Sequence, residues 1–221
     1  MRISYISPKD LFYHNTASVS APIAAGGPPC EVITMEKREI NGNFALPMPI
    51  VLIGAEVGGK VNFMPAGWCT QVNGNPPMIL CALARNHHTT KGILETGAFS
   101  VNVPSPALLD KTDYCGLVSG AEVDKSGLFE VFYGKLKKAP MIRDCPVNFE
   151  CRVFQTVPLP SHTAFIGEIV TAYADEAVTV DGKPDYVAIN PLVLTMADNA
   201  YHGLGEAVGN AWSAGKALIR K

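Results

Sequence analysis

Residues 47–105 read PMPIVLIGAEVGGKVNFMPAGWCTQVNGNPPMILCALARNHHTTKGILETGAFSVNVPS. Ile50 to Glu56 is an apolar run, Gly58-Gly59 turns the chain, and Val61 to Ala66 resumes as a strand. Trp68 to Val72 reads as a loop, Asn75-Pro76-Pro77 as a second turn, and Met78 to Leu83 as a third strand. Directly after it stands Arg85-Asn86-His87-His88-Thr89-Thr90-Lys91, a run dense in donors suited to a phosphate. Apolar β units that end in such a cluster point to a small barrel holding a phosphorylated ligand at its rim.

Outward from this stretch the signal stays mostly β. Candidate strands fall at 49–56, 61–66, 78–84, 98–103, 148–157 and 164–174, with a last one near 192–196. Their Gly/Pro/Asn punctuation suits a closed antiparallel barrel better than alternating βαβ units. Short helices are expected at 89–97, capped by Thr89 or Thr90 and stopped by Gly97, and at 105–115, where Ser105 caps and Pro106 takes the first position. A short turn is expected at 122–127, and a loose helix in the Gly/Ala-rich tail 204–218. Residues 1–34 carry no periodicity and include Ala21-Pro22-Ile23-Ala24-Ala25-Gly26-Gly27-Pro28-Pro29, so they read as an arm or extension ahead of one domain, 35–221.

Composition removes several functional classes. A net charge of −2 leaves no basic footprint for nucleic acid. No apolar run approaches the ~20 residues of a membrane span, and Asp10, His14 and Asn15 interrupt any signal-peptide core. The 6 cysteines form no CxxC pair and no zinc pattern, so they read as buried thiols of a reducing cytoplasm. No metal is expected, and the adjacent His87 and His88 point apart on any regular backbone. Gly-x-Ser-x-Gly, P-loop, GxGxxG and HExxH motifs are all missing, which argues against the common hydrolases, NTPases, dehydrogenases and zinc proteases.

Three places could carry chemistry. A helix starting at Thr89 or Thr90 would aim free N–H groups at an anion, with Arg85 as a fork donor, Thr89 and Thr90 as hydroxyls and Lys91 as a point charge. The same residues also suit a plain polar connection. Pro65-Ala66-Gly67-Trp68-Cys69-Thr70 has small residues that let a planar ligand approach the backbone, and reads equally as a tight turn with a buried Trp. His162 opens a late strand, where it could donate to a ligand, move a proton or bond a carbonyl. Asp113, Glu122 and Asp124 read as solvated helix ends.

These segments, in order, resemble the flavin reductase-like FMN-binding split-barrel family, flavoredoxin type. The likeness rests on Pro-Met-Pro-Ile-Val-Leu-Ile-Gly at 47–54, Asn-Phe-Met-Pro-Ala-Gly-Trp at 62–68 and Asn-Pro-Pro-Met at 75–78. It continues through Gly-Ala-Phe-Ser-Val-Asn-Val-Pro-Ser at 97–105, Asp-Tyr-Cys-Gly-Leu-Val-Ser-Gly at 113–120, Ser-His-Thr-Ala-Phe-Ile-Gly-Glu at 161–168 and Tyr-His-Gly-Leu-Gly at 201–205. The resemblance implies a mainly β, Greek-key split barrel with a few short helices, assembled as a homodimer with FMN near the interface.

It further implies that Ala66, Gly67, Trp68, Cys69 and Thr70 face the isoalloxazine ring, while Arg85, Asn86, Thr89, Thr90 and Lys91 hold the phosphate. Asn102 would lie beside the ribityl chain or ring, Cys115 and Gly116 would flank the flavin, and His162 would border the nicotinamide. The implied activity is an NAD(P)H-dependent FMN oxidoreductase, passing hydride from NADH or NADPH to FMN and electrons to an acceptor. That acceptor could be an iron-sulfur protein, free flavin or ferric iron. The alternatives are a non-enzymatic FMN electron carrier, and a split barrel that binds no FMN.

Overall fold

The computed structural model describes residues 17–18, 36–44 and 46–219. The chain divides into Met1–Ala45 and Leu46–Lys221. In the first unit Ala17–Ser18 pairs antiparallel with Glu36–Lys37; the rest of the expected arm, 1–34, lies outside the described residues.

The second unit is built on seven strands: β1 (Val51–Val57), β2 (Lys60–Ala66), β3 (Cys69–Gly74), β4 (Pro77–Ala84), β5 (Ala98–Val103), β6 (Val147–Pro158) and β7 (His162–Ala174). They form one antiparallel sheet in the order β2-β1-β5-β6-β7-β4-β3. Strands β5, β6 and β7 follow one another while β4 returns beside β7, which is a Greek key. Helix α1 (His88–Thr96) carries the chain from β4 to β5 and packs mainly against β1.

The sheet's outermost strands, β2 and β3, are consecutive in sequence and separated by Gly67 and Trp68 alone. Three Cα–Cα steps reach at most ~11 Å, so the sheet must curl until its edges meet. They meet without pairing, and the barrel is split there.

Local chemistry explains the elements. The β1–β2 hairpin closes over Gly58 and Gly59 with φ of 55° and 77°, the left-handed pair that a two-residue hairpin turn requires. Strand β1 is buried on both faces, which is why it reads as a continuous apolar run. Val51, Ile53 and Ala55 join Phe99, Val101, Leu83 and Phe165 inside the barrel. Leu52 turns outward to a second core with Phe63, Phe129 and Ile142 beneath helix α2 (Leu109–Leu117).

Helix α1 stops where expected: Gly97 adopts φ 67° and its N–H bonds Ile93 O at 2.9 Å. Its start differs, because His87 is the cap residue and Thr89 and Thr90 lie inside the first turn. Residues 68–72, read as a loop, fall largely in β3 (Cys69–Gly74), an edge strand whose side chains after Cys69 are all exposed. The tail shows one short 3-10 turn, Ala214–Leu218, rather than a helix from 204.

Candidate functional site

Two cavities open along the split. The first, about 280 Å³, is walled by Met64, Pro65, Ala66, Gly67 and Trp68 on one side and by Ala82, Leu83, Ala84 and His162 on the other. The second, about 400 Å³, is lined by Asn62, Asn86–Thr89 and the stretch from Cys115 to Gly120, with Lys125. Met64, Pro65 and His87 line both, so the two form one channel with an apolar end and a polar end. A third cavity of about 230 Å³ continues past Asn62 and Lys125.

The polar end is set up for an anion. Helix α1 begins there, and its cap residue His87 makes no side-chain cap bond, so the first-turn N–H groups remain free. Lys125 is only 3% exposed, and its Nζ donates to Cys115 O at 3.0 Å and Val118 O at 3.2 Å. An ammonium has three donors, which leaves one for the cavity. Among the described residues the ion pairs are Arg143–Glu130 and Arg152–Glu168, and neither involves Lys125. Burial pushes its pKa down.

Asn62 Nδ2 donates to Thr89 Oγ1 at 2.7 Å, tying β2 to the helix start. The Thr90 hydroxyl donates to Ala84 O at 2.9 Å and fixes the strand-to-helix corner. Burial, followed by the nearby His162 and Lys125, lowers the His87 pKa, so this imidazole is neutral at pH 7. His162 lies opposite Ala84 in the β7–β4 register; its Nδ1 is 2.8 Å from Ser161 Oγ and its ring 4.6 Å from that of Trp68.

The residues singled out from sequence therefore divide. Ala66, Gly67, Trp68 and His162 line the apolar cavity, and Asn86, Thr89, Cys115 and Gly116 the polar one. Thr90 is buried behind the corner. Arg85 and Lys91 are exposed and line neither cavity, and the Arg85 guanidinium donates to Leu159 O. Thr70 is exposed on β3. Cys69 turns into the barrel core, with Sγ 2.8 Å from Cys81 Sγ.

Asn102 is fully buried and its amide is filled. It donates to Leu52 O and Ser100 Oγ, both at 2.9 Å, and accepts from Ile142 N at 3.0 Å and Asn148 Nδ2 at 2.8 Å. Nothing remains for a ligand. Asp113 accepts from Tyr201 OH at 3.0 Å, holding residues 200–202 to α2.

Sequence reasoning missed Asn62, His87 and Lys125 as wall residues. Asn62 stands inside a quoted motif, whereas Lys125 sits between Asp124 and Ser126 and reads as part of a solvated turn. No local signal marks it as buried.

Comparison with known proteins gives the class of this barrel: residues 44–205 match the flavin reductase like domain. The chain belongs to that family. A flavoredoxin structure from Methanosarcina acetivorans is 52% identical, covering 84% of this chain and 100% of its own, with a TM-score of 0.82. The flavoredoxin of Desulfovibrio vulgaris (Miyazaki F) is 32% identical over 82% of this chain and 100% of its own, with a TM-score of 0.77. An NADH-dependent FAD reductase from Streptomyces globisporus is 24% identical over 69% of this chain and 84% of its own.

Proposed function

We propose that the chain binds FMN along the joined channel and accepts hydride from NADH or NADPH, passing electrons to a further acceptor. The observation that carries this reading is the buried Lys125 ammonium, without a carboxylate partner among the described residues, at a helix N-terminus that adjoins an apolar slot. That is the polarity of a flavin mononucleotide: a flat apolar ring at one end and a dianion at the other. The names of the similar proteins, flavoredoxins and an NADH-dependent FAD reductase, support the same reading.

Asn86, Thr89 and Lys125 would hold the phosphate, and the Ala66–Trp68 backbone and Pro65 would flank the ring. A nicotinamide would enter from the His162 side. Bound flavin supplies the hydride chemistry itself; the protein's part is to hold the ring, leave one face open and offer donors to the negative charge of the reduced form. The neutral His87, at the junction of both cavities, can donate without adding charge.

Homodimerisation belongs to the same proposal and is supported by the tail, where Val208 and Trp212 are almost wholly exposed. A cytoplasmic setting is supported by five free, buried cysteines. No helix among the described residues is long and apolar enough to cross a membrane.

The test is the visible spectrum of the purified protein, then anaerobic addition of NADH and NADPH. Flavin bands that bleach with either donor support the enzyme. Bands that persist with both would replace it with the electron carrier, and failure to take up supplied FMN would remove the cofactor.

A further inference from the structure

Cys69 on β3 and Cys81 on β4 stand directly opposite each other. The bond from Ala82 N to Trp68 O, 2.9 Å, flanks them and makes theirs a non-hydrogen-bonded pair. At such a pair the Cα atoms are ~4.5 Å apart and the side chains closest, inside the ~4.4–6.8 Å range of disulfides. Both side chains point into the barrel, and their sulfur atoms lie 2.8 Å apart. Cys81 is fully buried and Cys69 nearly so, yet Ala66 and Leu83 of the same cluster line the apolar cavity.

We propose that Cys69 and Cys81 are a redox-modification site, a dithiol that closes reversibly to a cross-strand disulfide when a small peroxide enters from the cavity. One thiol is oxidised to the sulfenic acid, with loss of one water. The second thiol then attacks that sulfur, the S–S bond forms and a second water leaves. Overall, two thiols and one hydrogen peroxide give one disulfide and two waters. A dithiol reductant reverses it by exchange. Closure would lock the edge strand that follows Gly67 and Trp68 onto β4, and so fix the distance between the two walls of the apolar cavity. Burial keeps the Cys81 thiol protonated at neutral pH, so the reaction accelerates as pH rises. The site does not depend on which ligand the channel takes.

The experiment treats the full-length protein with hydrogen peroxide and counts thiols after denaturation. The expected result is a fall from six to four, restored by dithiothreitol. Cys69→Ser and Cys81→Ser should form no disulfide and lose at most the one thiol that peroxide takes to the sulfenic acid, whereas Cys151→Ser, in the same cluster, should fall from five to three. Should a variant not fold, the wild-type protein decides alone: tryptic peptide 61–85 contains both cysteines and should be lighter by two hydrogens and refuse alkylation. Two alkylated cysteines in that peptide after peroxide, or thiol losses that map elsewhere, would overturn the proposal.

Discussion

The Asn62 carboxamide and the Thr89 hydroxyl meet at 2.7 Å, both nearly sealed from solvent, and this one bond joins strand β2 to the first turn of α1. The two walls of the polar cavity are thereby held in register. Gly120 packs against the same carboxamide so closely that a Cβ there would overlap it.

Thr89→Val should leave the Asn62 amide unpaired in the interior and cost about 1–3 kcal/mol of stability, read by urea unfolding. Gly120→Ala should displace Asn62 and weaken FMN by about tenfold, ~1.4 kcal/mol, in a fluorescence titration. An unchanged titration would mean that Asn62 does not position the ligand.

Lys125→Met should weaken FMN far more than riboflavin. A hydrogen bond to a charged group contributes about 1.5–3 kcal/mol, so the FMN Kd should rise from roughly tenfold to over a hundredfold by calorimetry. Arg85→Ala should change both ligands little, because its guanidinium is bonded to Leu159 O outside the cavities.

The chain has two tryptophans, and only Trp68 lines the channel. Trp212→Phe should retain most of the fluorescence quenching that FMN produces, and Trp68→Phe should lose most of it.

His87 gives the ligand-free protein a pH dependence of fixed sign. Its pKa in the folded state lies below the ordinary 6.5, so the unfolded chain takes up the proton first. Stability is full above pH 6.5 and declines as pH falls toward the folded-state value. His87→Gln should flatten that part of a thermal-midpoint profile; a profile unchanged by the substitution would show that other groups set the slope.

What could be read from the chain followed local chemistry. Gly58-Gly59 announces its hairpin and Gly97 its helix end, because both need left-handed backbone that few other residues adopt. Strand β3 was illegible because only Cys69 in it is buried; an edge strand with exposed Thr70, Gln71, Val72 and Asn73 has no alternation to see.

The site was legible where one segment supplies a whole wall, as at 66–68 and 86–89. It was not where burial is decided by distant chain. Arg85 and Lys91 suit a phosphate by composition, yet both are exposed and line neither cavity, while Lys125, remote in sequence, is buried in the wall of the polar one. Asn102 looks like a ligand contact by motif, but Leu52, Ser100, Ile142 and Asn148 fill its amide.

The Gly67–Trp68 link joins chain neighbours that sit at opposite ends of a seven-stranded sheet. No partial assembly of strands therefore owns a partial channel: the walls face each other only when the last strand has docked. Ligand uptake becomes a reporter on the finished fold, and by mass action each tenfold excess over Kd adds about 1.4 kcal/mol to the stability of the entire barrel. Flaws planted deep in the core, far from Trp68, should consequently surface first as protein that has lost its ligand.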